Sequence, residues 1–159
     1  MIRSLIVASL ALSTVAPAQA VTTTIDAEHH SLLNAVKAVG VRVYENPAQC
    51  SKGVAGFYNG STVGICSKNS PNRADVLDTI RHEAFHVAQR CNALKDGDKG
   101  GLKVISEKAA QMGLRAFGRE ISAYPIHQWA VEAEAWGAAK YLTAGRVESV
   151  LRKQCSFAF

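Results

Sequence analysis

The stretch TIRHEAFHVAQRC, Thr79 to Cys91, sets His82, Glu83 and His86 in an HExxH spacing. On an α-helix, residues four apart differ by about 40° of rotation, so both imidazoles project from one face, one turn apart. No other feature constrains the chain as much. It asks for a helix here and for a second element that brings a further ligand to the same face. Glu83 is turned by about 100° from His82, beside a shared ion rather than on it, where a carboxylate can take a proton from water. Zinc suits such a set: it binds imidazole, leaves one position open in catalytic sites, and lowers the pKa of water toward about 7. Arg81, His82 and Glu83 also interrupt an otherwise apolar arc of Val76, Leu77, Ile80, Ala84 and Val87, which a function explains better than packing does.

With 159 residues, 48% of them hydrophobic, the chain has enough material for one compact core. Residues 1–20 read as an export leader: Met1-Ile2-Arg3 is a short positive start, SLIVASLALSTVA is an apolar run, and Ala18-Gln19-Ala20 is a small-x-small cleavage site. Residues 21–159 are then a single domain, secreted or periplasmic, with no stable membrane anchor once the leader is removed. Cys50, Cys66, Cys91 and Cys155 all follow the leader, and an even number in an exported chain implies two disulfides. Of the three possible pairings, Cys50 with Cys66 flanks an apparent hairpin, and Cys91 with Cys155 ties the carboxyl terminus to the motif helix. The 18 Lys and Arg exceed the 13 Asp and Glu only mildly and are scattered without aromatic interleaving, so no nucleic-acid partner is indicated.

The hydrophobic pattern predicts an α+β order without internal repeats: an amino-terminal helix over 26–40, a small antiparallel sheet, the HExxH helix, then carboxyl-terminal helices. VRVYENP alternates like a strand, and Asn59-Gly60 between two strand-prone runs signals a hairpin. The motif helix is expected from Asn72 or Arg73 to about Asn92. KDGDKGG, Lys95 to Gly101, reads as a loop, and Leu102 to about Phe117 as a helix closed by Gly118. REISAYP breaks the pattern, IHQWAVEAEAWGAAKYLTA resumes it until Gly145, and RVESVLRKQ carries a last short helix.

The third ligand has several candidates. Cys91, nine residues after His82, points about 180° away on a continuing helix and is better placed in a disulfide. His29 and His30 stand near the start of the first helix without a partner motif and read as surface residues. Glu132 and Glu134 lie in the apolar run of Trp129, Val131, Ala133, Ala135, Trp136 and Ala139, where a buried acid needs a partner. They diverge by about 200°, so only one can face a given ion.

HExxH followed by Glu132-Ala-Glu-Ala resembles the gluzincin-type zinc metallopeptidases, in which a glutamate from a later helix completes the site. EAEA is similar to the ExEA motif of small bacterial gluzincin-like proteins and of the CAAX prenyl endopeptidases. The resemblance covers roughly Val54 to Leu142. It implies a zincin-like fold and an exported zinc endopeptidase acting on a peptide or protein. His82, His86 and Glu132 would be the metal ligands, Glu83 the general base, and Glu134 a supporting acid behind them. It also implies that a strand edge within GFYNGSTVGIC holds an extended substrate. Trp136 departs from the pattern, which often has Asp or Asn there, so polar support for the histidines is expected from Glu134 or Asp78. Tyr124, His127 and Tyr141 lie near Glu132 in sequence and are candidates for a donor to a developing oxyanion. The same residues would also suit a zinc amidase acting on a small or cell-wall amide. In a binding protein with a zinc-containing scaffold, Glu83 would have no task.

Overall fold

A computed structural model describes residues 19–96 and 107–156; the expected leader lies outside them apart from Gln19 and Ala20. The described chain is α+β and mostly helical. Helix α1 (Gln19–Ala38) leads into strand β1 (Arg42–Glu45) and a 3-10 turn (Ala48–Lys52). Strands β2 (Gly56–Tyr58) and β3 (Thr62–Ile65) follow, then helices α2 (Arg73–Asp96), α3 (Glu107–Ile121), α4 (Trp129–Tyr141) and α5 (Ala144–Gln154). No described helix is long and apolar enough to cross a membrane.

Asn59-Gly60 does turn the chain between β2 and β3. Gly60 takes φ +92°, a left-handed conformation that costs glycine little, and Asn59 Oδ1 accepts from the Ser61 and Thr62 amides at 3.2 and 3.0 Å. The sheet, however, is mixed rather than antiparallel. Its order is β1-β3-β2, with β3 antiparallel to β2 but parallel to β1 in a register that sets Arg42 opposite Thr62. Side-chain alternation reports which face a residue occupies and not the direction of its neighbour, so VRVYE gave no sign of this. The reversal is made between β1 and β2, where Asn46 at φ +50° donates its amide to Ile65 O at 2.8 Å. The Cys50–Cys66 disulfide closes the same segment onto the end of β3.

Helix α2 runs through the middle of the fold. Asn72 caps it, its Oδ1 accepting from the Asp75 amide at 3.1 Å. Its Val76, Leu77, Ile80, Ala84, Phe85 and Ala88 share one core with Leu32 and Val36 of α1 and Val63 and Ile65 of β3. Ala135 and Ala138 of α4 and Val147 and Leu151 of α5 complete that core. A helix wrapped on most sides exposes little of its middle, which is why His82 and Glu83 are buried together with their apolar neighbours. The second disulfide, Cys91–Cys155, joins the later part of α2 to the end of α5.

Four helices differ from expectation in their limits, the first being α1, which runs from Gln19 to Ala38 rather than over 26–40. The motif helix continues past Asn92 through Lys95 and Asp96, and of the expected loop only these two residues are described. Helix α3 passes through Gly118 with a kink at Phe117 and reaches Ile121, whose burial at 1% exposed outweighs the glycine. Residues 102–106 of that expected helix lie outside the described ones. Gly145 does not end a helix: α4 stops at Tyr141, and Thr143 caps α5 by accepting from the Arg146 amide at 3.2 Å, which puts Gly145 in the first turn of α5. A Thr cap and a Gly stop look alike in LTAGRVE, and only the backbone at Thr143 separates them.

Candidate metal centre

Helix α2 presents His82 and His86 one turn apart, and α4 packs against it so that Glu132 meets both rings. His82 Nε2 and His86 Nε2 are 3.0 Å apart; Glu132 Oε2 lies 3.4 Å from the first and Glu132 Oε1 3.5 Å from the second. Tetrahedral zinc with bonds of about 2.0–2.1 Å holds its donor atoms roughly 3.3 Å apart. The three side chains already stand at that spacing. Glu132 Oε2 is buried and accepts no hydrogen bond, an expensive arrangement for a carboxylate oxygen unless a cation partners it. His82, His86 and Glu132 therefore form a buried group able to hold a metal ion.

The electrostatics follow from burial and crowding. Burial pushes His82 down to about 4 despite its contact with Glu132, so its ring is neutral near pH 7. Burial acts on His86 in the same sense, but Glu132, Glu83 and Gln89 more than offset it and raise its pKa. Glu132 would be raised by burial, yet the two histidines hold it at about 2, an anion throughout the working range. Glu83 goes the other way: burial, with Glu132 nearby, pushes it up to about 7. Two carboxylates in one site are thus driven apart, one permanently charged and one poised to exchange a proton near neutrality.

Glu83 faces a cleft of about 170 Å³ lined by Val54, Ala55, Gly56, Thr79, His82, Tyr124 and Trp136. Gly56 belongs to the edge strand β2 and lies directly over it: a Cβ at this position would sit 2.5 Å from Thr79 Cγ2 and 3.0 Å from Glu83 Oε1. Sequence reasoning did not find Gly56; a glycine at the start of a strand-prone run was the available signal. Gly56→Ala is expected to push β2 away from α2, with a loss of about 1–3 kcal/mol in chemical denaturation. An unchanged midpoint would show that the sheet does not press on Glu83.

The remaining candidates separate clearly. Glu134 is buried and accepts from Gln89 Nε2 at 3.0 Å, and Gln89 Oε1 in turn lies 2.7 Å from His86 Nδ1. Gln89 received no role in the sequence reading. Asp78 does not support the histidines; it pairs with Arg81, whose Nε donates to Ala139 O at 2.8 Å. His29, expected at the surface, is buried with its Nε2 3.2 Å from Arg81 Nη1, away from the ligand group, whereas His30 is exposed. Cys91 is in its disulfide. Tyr124 borders the cleft, its phenol pushed up to about 12 by burial and by the charges of Glu132 and Glu83. His127 sits exposed on the 3-10 turn before α4 and Tyr141 is exposed at the end of that helix; neither lines the cleft. Trp136, in the place of the expected Asp or Asn, lays its ring against His82 with centroids 4.5 Å apart and stacks on Phe117 at 4.8 Å.

No curated protein and no solved structure shows significant similarity to the chain. Residues 21–156, nearly all of the chain beyond the expected leader, match the family described as "Domain of unknown function (DUF8637)", and the protein belongs to that family.

Proposed function

We propose that this protein is an exported zinc-dependent endopeptidase. The observation that carries the reading is the conjunction of the His82, His86 and Glu132 group with a second, proton-exchanging carboxylate, Glu83, at the mouth of a cleft. A structural metal site has no use for Glu83; hydrolysis does. Zinc held by the three ligands would polarise a scissile carbonyl and make water acidic.

The chain's own residues have the following tasks. Glu83 takes the proton of the attacking water and passes it to the leaving nitrogen, work suited to a group titrating near 7. Glu132 keeps its charge and balances that of the cation. Tyr124 supplies a phenolic O–H at the cleft that can donate to the developing oxyanion. Strand β2 is an edge of the sheet beside Glu83, so an extended peptide can pair with its backbone, in keeping with the resemblance to gluzincins. Export by the leader at 1–20 to the periplasm or medium agrees with the two disulfides, which persist in oxidising compartments.

The test uses the oxidised, purified chain. Elemental analysis should find one zinc per chain, and hydrolysis of an unfolded protein mixture should disappear with a chelator and return with zinc. A zinc-loaded chain that cleaves no peptide but turns over a small or cell-wall amide would replace the endopeptidase with an amidase. Absence of bound metal would overturn both.

A further inference from the structure

Gln89 is buried just under one turn beyond His86, and its side-chain amide is fully engaged. Its nitrogen donates to two acceptors on α4, Val131 O and Glu134 Oε2, each at 3.0 Å. Turning the amide round would aim its oxygen at the Val131 carbonyl, which has no proton to donate, and would lose that hydrogen bond. The orientation is therefore decided by α4, and Gln89 Oε1 must face His86 Nδ1, 2.7 Å away. An amide oxygen only accepts, so the imidazole must carry its proton on Nδ1.

We infer that Gln89 is a positioning residue that locks His86 in the Nδ1–H tautomer. His86 Nε2, 3.0 Å from His82 Nε2 and 3.5 Å from Glu132 Oε1, then carries its lone pair toward the ligand group. The use of that lone pair rests on the metal-centre reading. In this lock the acid fixes an amide, and the amide fixes the ring. Because Val131 and Glu134 flank Glu132 on the same helical turn, any shift of α4 would move the third ligand and the lock together. His82 has no equivalent, since its Nδ1 is buried without a hydrogen-bond partner and its ring lies tilted at 51° against Trp136.

The experiment reads the tautomer directly, by nitrogen-15 NMR of the histidine side chains in the oxidised full chain after chelation, in alkaline solution where imidazole is neutral. The expected result is His86 protonated on Nδ1 in the wild type and in Glu134→Gln, which keeps an acceptor for the Gln89 amide. In Gln89→Met the proton should redistribute toward Nε2, and zinc affinity measured by competition should fall about 10–100-fold with circular dichroism unchanged. His86 protonated on Nε2 in the wild type overturns the proposal without recourse to any variant, and so does a folded Gln89→Met that keeps both tautomer and affinity. The tautomer is read without metal, so a wild-type chain that shows Nδ1–H on His86 but takes up no zinc supports the lock while refuting the metal centre.

Discussion

Glu83→Gln is expected to lower peptide hydrolysis about 10²–10⁴-fold while bound zinc stays near one per chain. Glutamine keeps the volume and one acceptor oxygen, so the cleft beside Gly56 should not change shape; it removes only the ability to accept and return a proton. Glu83 is absent from the ligand group, and its loss should therefore spare the metal. Equal activity in the variant, or zinc lost in step with activity, would refute its assignment as general base. The same substitution should alter stability in the chelated protein. Burial raises Glu83 from 4.5 to about 7, so the folded state favours the protonated acid, and its contribution is fully present below pH 4.5 and is lost as pH rises through 7. A glutamine has no charge to bury. Metal-free Glu83→Gln should consequently melt above the wild type at pH 8, by about 5–10 °C, and the gap should close toward pH 4.5. A gap independent of pH would mean that the carboxylate is not desolvated as its position implies.

The expected cost of burying Glu83 also bears on what the sequence made legible. His82, Glu83 and His86 were readable because helical periodicity is local: the spacing itself puts both rings on one face, and the charged trio stands out against the apolar arc around it. Glu132 needed more. Geometry left Glu132 and Glu134 open, and the resemblance of EAEA to a known ligand motif selected the first; the structure then brings Glu132 to both histidines and Glu134 to Gln89. Gln89 was out of reach, and Gly56 showed only as a glycine at the start of a strand-prone run, since the role of each depends on an element elsewhere in the sequence. A buried glutamine and an exposed one are written with the same letter. The parallel pairing of β1 was hidden for the related reason that strand direction leaves no mark on alternation. The disulfide pairs were read from position, hairpin for one and chain end for the other, and both are present.

The two disulfides should differ in what they contribute, and removing Cys91–Cys155 should be the larger loss. In the chain-entropy account a cross-link stabilises by restricting the unfolded chain, more so for a longer loop. The pairs are separated by 64 residues for Cys91–Cys155 and 16 for Cys50–Cys66. The corresponding contributions are about 4 and about 3 kcal/mol. A domain of this size has a total stability on the order of 5–15 kcal/mol, so the longer link is a sizeable part of it. The native state should reinforce the ranking. Cys155 is completely buried against α2 and its backbone amide closes α5, so replacement also leaves a small void where α5 packs. Cys50 lies in a 3-10 turn with exposed neighbours, which can relax. Cys91→Ala with Cys155→Ala is therefore expected to lower the melting temperature by about 10–15 °C, and the Cys50, Cys66 pair by less. Neither disulfide touches the ligand group, so zinc stoichiometry at 25 °C should survive in both variants wherever circular dichroism still reports a folded chain. A drop of under about 3 °C for the first pair would show that α5 is held by its Val147 and Leu151 contacts alone. Loss of zinc from a chain that is still folded would instead mean that the link sets the position of α2 around Gln89 and His86, and that disulfide formation completes the ligand group.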